Sequence, residues 1–391
     1  MSERRKVLVC DAFPGSEERI SSQAWFTKKR LSKFLFSLRS YFPSWKLWIR
    51  RFKSEGIANI YSPPDDTFST FRKVCDLSIW VFHTSKLCFA ERFMGRKSLE
   101  KRLFRRLRAR CRSFSVHLDQ PFVSWIGHST FFLKVCGITL LTDPIWSYRA
   151  GFPSWPGLSR SCLPPVSLDV LGGADLVLIS HNHPDHLDMQ TIAHLSKLRP
   201  NSCLVVPKGV GECVASFGLD CIELAWGEEC RIPFTEQGAV VNVTSVPAIH
   251  NSGRGLLDRN MSMWCGWICR FQRRSEKKKT LYYVGDTAFS EGLFQSIGRR
   301  FGSIDLSLVP VGAYLPRSLL GQNHISPREA VAIHKLVLSK KSIGCHHSTF
   351  RLSDVVAEER ALLEDLESGL RDYQVSPCEF FLCPVGHWFN W

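Results

Sequence analysis

Four side chains able to hold a metal ion crowd into one six-residue stretch of this 391-residue chain: His181-Asn182-His183-Pro184-Asp185-His186. Imidazoles joined by a carboxylate suit a borderline cation such as zinc. His181 and His183 can converge on one ion from an extended loop. Asp185 and His186, beyond the turn-forming Pro184, can serve a neighbouring ion. The chain holds 13 histidines, so three of them packed around one aspartate are improbable as chance surface composition. Three further residues repeat the pattern of a polar group just past an apolar run: His250 after residues 243–249, Asp286 after 281–285, and His346 after 343–345. Each alone would read as a satisfied surface or core residue. Together with the histidine loop they make seven ligands, enough for two ions with Asp286 between them. His347 competes with His346 for the last place.

Such a site needs elements that end at a common edge. Residues 175–180, directly before the histidine loop, form a short apolar run typical of a buried strand. Similar runs fall at 203–207, 240–246, 281–284, 306–311 and 342–345. Residues 131–141 read as a β-hairpin with a tight turn near Cys136-Gly137. Helices are expected over 188–197 and 327–338. The second carries a helix-start signature: Ser326 as N-cap, Pro327 in the first turn and Glu329 three residues after the cap. Strands mixed with helices in this way predict an α/β fold, sheets covered by helices.

With these residues in place, the sequence resembles the metallo-β-lactamase superfamily through its His-x-His-x-Asp-His motif. Further blocks narrow the resemblance to the branch of N-acyl-phosphatidylethanolamine-hydrolysing phospholipase D. They are Trp125-Ile126-Gly127-His128-Ser129-Thr130, Leu141-Thr142-Asp143-Pro144, Val284-Gly285-Asp286-Thr287, Val311-Gly312-Ala313-Tyr314-Leu315-Pro316-Arg317, His324-Ile325-Ser326-Pro327-Arg328-Glu329-Ala330 and His346-His347-Ser348-Thr349-Phe350. The similarity runs over roughly 120–390. It implies a four-layer αβ/βα sandwich and two zinc ions, other divalent transition metals being able to fill the same ligands. It puts His181, His183 and His250 on one ion and Asp185, His186 and His346 on the other, with Asp286 bridging. The implied reaction is hydrolysis of a phospholipid phosphodiester by a hydroxide held between the ions. Asp185 and Asp286 would orient that nucleophile, and His324 would touch the substrate phosphate or leaving group. His128 and Asp143 sit in blocks the branch shares and are candidates to fix the imidazoles, and His128, like His324, is a candidate substrate contact. The competing readings are a turn cap for Asp143 and a helix-capping contact for His324.

The rest of the composition bears on partners. The net charge of +15 is concentrated in residues 1–118, while 119–391 are close to neutral. The chain therefore divides into a basic, aromatic-rich extension (1–118) and a catalytic domain (119–391). Stretches 25–36 and 45–53 interleave Trp and Phe with Lys and Arg, which suits a helix lying in a membrane interface. Residues 97–112 are dense in arginine, and 77–90 form a second apolar patch. An anionic membrane surface is the expected partner of this region and a phospholipid the expected substrate. Nucleic acid fits arginine clusters too, but the near-neutral catalytic domain and the lipid-branch blocks disfavour it. A small-molecule hydrolase acting on a lactone or cyclic phosphodiester is the other alternative, as is a decayed, metal-stabilised binding protein. Oligomeric state is left open. No run of 18 apolar residues predicts a spanning helix, and the N-terminus does not resemble a secretory signal. The expected location is cytoplasmic, peripheral to a membrane. The 15 cysteines show no paired framework, so buried free thiols are expected; Cys265 and Cys269 could sit one turn apart on a helix.

Overall fold

In a computed structural model of the chain, residues 9–11 and 121–391 are described, apart from 152–157, 256, 275, 351, 353 and 354. In chain order the strands are β1 (Val9–Asp11), β2 (Phe122–Gly127), β3 (Thr130–Val135), β4 (Ile138–Thr142), β5 (Arg149–Ala150) and β6 (Leu158–Ser159). Then come β7 (Leu176–Leu178), β8 (Cys203–Pro207), β9 (Asp220–Leu224), β10 (Glu228–Phe234), β11 (Ala239–Val246) and β12 (Gly266–Arg273). The last are β13 (Lys279–Tyr283), β14 (Leu306–Pro310), β15 (Ser342–Cys345), β16 (Phe380–Leu382) and β17 (Trp388–Asn390). The helices are α1 (Leu168–Leu171), α2 (Met189–Leu198), α3 (Gly211–Val214), α4 (Glu291–Phe301), α5 (Arg317–Leu320), α6 (Pro327–Leu336) and α7 (Val355–Asp372).

Two sheets carry the fold. One has eight strands in the order β1-β10-β11-β12-β13-β14-β15-β16; the other has seven in the order β17-β2-β3-β4-β7-β8-β9. Successive side chains of a strand point to opposite faces, and the sequence uses both faces. Trp267, Cys269 and Phe271 of β12, with Leu281 and Tyr283 of β13, meet Val123, Trp125, Phe131 and Leu133 of the other sheet in one core. The alternate residues Ile268 and Tyr282 pack outward against Phe294 and Ile297 of α4 and Val331 and Ile333 of α6. On the other sheet Phe132, Val177 and Leu204 pack outward against Ile192 and Leu195 of α2. Sheets back to back with helices outside each make the four-layer αβ/βα sandwich.

The apolar runs are strands: β7, β8, β11, β13, β14 and β15 fall within a few residues of their expected places. The β3–β4 hairpin turns through Cys136 (φ 52) and Gly137 (φ 79), both left-handed, as a two-residue turn between right-twisted strands requires. Helix α6 carries the full capping box between Ser326 and Glu329, and Asp188 caps α2. One expectation fails. Cys269 lies on strand β12 and Cys265 just before it, not on a helix. Both belong to the intersheet core, which is why their spacing of four still puts them on one face. The cysteines among the described residues are free thiols, most of them buried. Apart from 9–11, the basic and aromatic stretches of residues 1–118 lie outside the described residues. No helix among the described residues is long and apolar enough to cross a membrane.

Helices α4 and α6 meet where a glycine allows it. A Cβ on Gly298 would lie 2.1 Å from the Leu336 carbonyl oxygen, whereas one on Gly292, in the same helix, would meet nothing within 4 Å. Gly298→Ala should therefore destabilise the fold by about 1–3 kcal/mol through overpacking, while Gly292→Ala should be neutral or stabilising by up to about 1 kcal/mol. Urea unfolding of the two variants measures the contrast; equal effects would contradict the α4–α6 contact.

Candidate metal centre

Every residue of the centre leaves the end of a strand or a loop that joins two. His181 to His186 follow β7. The His183 carbonyl accepts from the amides of His186 (3.0 Å) and Leu187 (2.8 Å), which folds Asp185 and His186 back toward the preceding histidines. His250 follows β11, Asp286 follows β13, His346 follows β15, and His128 sits between β2 and β3. The Asp286 turn passes through Gly285 at φ +66, where a Cβ would come within 2.9 Å of Ser180 Cβ and the Cys265 carbonyl. His128 (φ 55), Asp143 (φ 30) and His346 (φ 62) are left-handed as well, a conformation uncommon for residues with a Cβ and tolerated where surrounding contacts impose it. Those contacts are present: the His346 amide donates to the His128 carbonyl (3.0 Å), and the His128 amide donates to Thr349 Oγ1 (2.6 Å).

The donor atoms fall into overlapping groups. Asp143 joins His181 and His186 in one, and His250 joins Asp286 and His324 in another. Two more divide the expected ligands. His181, His183 and His250 form one; Asp185, His186, His346 and His128 form the other, the potential ligand atoms within each lying within 4.8 Å of one another. Asp286 stands between them. Its Oδ2 lies 3.0 Å from His346 Nε2, 3.2 Å from His186 Nε2 and 3.7 Å from His250 Nε2. All seven residues singled out as metal ligands are thus brought together. His346 is the member of its pair that reaches the cluster; His347 stacks on Trp125 at 4.7 Å instead. His324 lies at the rim, Nδ1 3.8 Å from Asp286 Oδ2, and caps no helix, that place belonging to Ser326. His128 is 1% exposed, and its Nε2 lies 3.1 Å from Asp185 Oδ2. Its ring also packs against those of His346 (4.1 Å) and Phe350 (5.1 Å).

A layer of partners fixes the imidazoles. Asp143 Oδ2 accepts from His186 Nδ1 (2.5 Å), from Ser180 Oγ (2.5 Å) and from the Tyr283 hydroxyl. Its Oδ1 accepts from the Ser180 amide (2.7 Å). This aims His186 Nε2 at the cluster, the carboxylate–histidine arrangement common around bound metals. His181 Nδ1 lies 2.9 Å from Ser180 Oγ, and His250 Nδ1 lies 2.9 Å from the Asn323 carbonyl; both leave Nε2 for the centre. Trp267 Nε1 donates to the Ile179 carbonyl (2.9 Å) and steadies the entry to the loop. Tyr283, Ser180, Asn323 and Trp267 carry no motif. The one sequence signal for Tyr283 is its inward register on a strand that ends at Asp286.

Burial, then the neighbouring imidazoles, hold His181 well below the ordinary imidazole range; burial likewise lowers His250 and His183. His186 and His346 go the other way. Burial opposes their charge, but the carboxylates of Asp286 and Asp185 prevail, holding His186 well above the usual value and pushing His346 up to about 9. Asp185 and Asp286, though buried, are held well below the carboxylate range chiefly by the His186 charge. The pocket therefore carries two anionic carboxylates that require positive charge. Asp286 Oδ1 is buried and has no hydrogen-bond partner among the described residues, a costly state for a carboxylate oxygen that a cation would relieve. Five imidazoles and two carboxylates in adjoining, overlapping groups are a donor set that suits divalent transition-metal ions.

The sequence of residues 139–347 matches the family model of the β-lactamase superfamily domain. The chain is 35% identical over 259 residues to N-acyl-phosphatidylethanolamine-hydrolyzing phospholipase D 1 of Caenorhabditis elegans, spanning 64% of this chain and 71% of that one. It is 33% identical over 254 residues to the mitochondrial N-acyl-phosphatidylethanolamine-hydrolyzing phospholipase D of Saccharomyces cerevisiae, spanning 64% of this chain and 53%, about half, of that relative. An isothiocyanate hydrolase from Delia radicum gut bacteria has the same fold, with a TM-score of 0.51 at 18% identity over 69% of this chain and 99% of that one. The chain belongs to the β-lactamase superfamily, in the branch that contains the N-acyl-phosphatidylethanolamine-hydrolysing phospholipases D.

Proposed function

We propose that this metal-dependent hydrolase works with two divalent ions, zinc foremost, and cleaves a membrane phospholipid at its headgroup, as a phospholipase D does. The observation that carries the reading is the position of Asp286, whose one carboxylate oxygen faces imidazoles of both donor groups. His181, His183 and His250 would hold one ion; Asp185, His186 and His346 the other. When bound, such a pair supplies Lewis acidity and lowers the pKa of a water between the ions toward neutrality. The protein does the rest through placement. Asp143 and Ser180 lock the tautomers that present Nε2, and His128 fixes the Asp185 carboxylate. His324, 14% exposed at the rim, is the histidine that can reach a phosphate or its leaving oxygen.

The two phospholipases D named above hydrolyse N-acyl-phosphatidylethanolamine, which makes this lipid class the first substrate to test. Residues 1–118 would hold the enzyme peripherally on the membrane. Basic side chains attract anionic lipid at roughly 1 kcal/mol each near the surface, and interleaved Trp and Phe can seat among the headgroups.

Three outcomes test this reading. Vesicles containing N-acyl-phosphatidylethanolamine and phosphatidylethanolamine, incubated with the zinc-loaded full chain, should yield phosphatidic acid and the released headgroup alcohol, N-acylethanolamine from the first lipid or ethanolamine from the second, by mass spectrometry. Diacylglycerol would place the cut on the wrong side of phosphorus, and cleavage of RNA with no lipid product would defeat the proposal. Asp185→Asn should lose more than about 100-fold in turnover, the upper end of what an outer partner alone costs, with an unchanged circular dichroism spectrum; full activity in this variant would remove the mechanism. Tyr283→Phe strips one donor from Asp143 while keeping the ring, and should cost about 10-fold, at the mild end for a partner of a metal-ligating histidine. Wild-type turnover there would mean that the Tyr283 hydroxyl plays no part in holding His186.

A further inference from the structure

The turn that supplies three of the seven donors, His183, Asp185 and His186, is bracketed by two backbone carbonyls, those of Asn182 and Leu187. Both accept from one atom: Arg254 Nη1 lies 3.0 Å from the Asn182 oxygen and 2.7 Å from the Leu187 oxygen. Arg254 belongs to the connection between β11 and β12, four residues after His250. The same connection grips the turn a second time, where the Gly253 amide donates to Asn182 Oδ1 (2.7 Å). Its own backbone is fixed. The amides of Arg254 and Gly255 donate to Asp258 Oδ2 (2.6 Å) and Oδ1 (2.7 Å). At its base, Ser252 and Asn260 close on each other: the Ser252 amide donates to Asn260 Oδ1 (3.1 Å) and the Asn260 amide to the Ser252 carbonyl (2.8 Å). The side chain is half-buried, and both carbonyls it bridges belong to buried residues.

We propose that Arg254 is a positioning residue for the metal centre: its guanidinium spans the mouth of the histidine turn and ties that turn to the segment carrying His250. The claim rests on the reading that these donors hold metal. Without the bridge, the turn keeps its two internal hydrogen bonds and the Gly253 contact, but it loses both carbonyl contacts that span its mouth, so His183 and Asp185 are held less firmly in register with His250. A lysine keeps the charge but offers a flexible ammonium in place of a planar fork, so it should not reproduce the fixed span.

The test is zinc affinity of the metal-stripped full chain, by competition with a chromophoric chelator, beside the melting temperature of the same stripped protein. Arg254→Ala should weaken zinc binding by about 10–100-fold while the stripped protein melts within a few degrees of wild type. Arg254→Lys should fall closer to the alanine variant than to wild type, and it decides the matter by the same criteria if the alanine variant does not fold. Wild-type affinity in the variants would overturn the proposal. A loss of affinity that merely tracks lost stability of the stripped protein would also overturn it, leaving Arg254 a general structural contact. No substrate enters the experiment, so a wrong lipid assignment cannot imitate either result.

Discussion

A buried carboxylate among imidazoles governs this structure. Asp286 is all but removed from water, and its Oδ2 faces four histidine nitrogens. Burying a charge is costly unless opposite charge and hydrogen bonds meet it. The carboxylates of Asp286 and Asp185 in turn hold His186 and His346 above the ordinary imidazole range, while Asp286 Oδ1 has no hydrogen-bond partner among the described residues. Cations between the two donor groups would meet the same demand more fully. A chain that needed only a stable core could have closed this space with apolar side chains, as it does between the sheets.

The fold meets that demand through strand ends. Strands β7, β11, β13 and β15 each deliver their donor one to eight residues past the last paired residue, all toward one edge of the sandwich. The intersheet core of Trp267, Phe131, Leu133 and Tyr283 fixes the strands, and the strands fix the donors. Two core residues also serve the site directly: Tyr283 reaches Asp143, and Trp267 holds the Ile179 carbonyl. Left-handed backbone at His128, Asp143 and His346 shows local conformation giving way to the geometry of the centre.

Much of this was legible in the sequence because the signals were local. The apolar runs before Ser180, Asp286 and His346 mark buried strands. Cys136-Gly137 marks its hairpin, and Ser326-Pro327-x-Glu329 marks the start of α6. The histidine loop announces itself by density alone. The remainder depends on contacts between distant segments. Nothing local separates His346 from His347; the structure does so by turning His346 inward at φ 62 and stacking its neighbour on Trp125. Arg254 sits in a loop without a motif, and its partners lie about seventy residues away. Cys265 and Cys269 share a spacing that suits a helix and a strand equally, and strand pairing with β11 and β13 decided it.

The most direct measurement is anomalous scattering at the zinc edge from crystals of the zinc-loaded protein. The account predicts two peaks about 3.5–4 Å apart, the spacing of two-metal hydrolase sites, one among His181, His183 and His250 and the other among Asp185, His186 and His346, with Asp286 touching both. A single peak, or peaks at other side chains with Asp286 turned away, would contradict it.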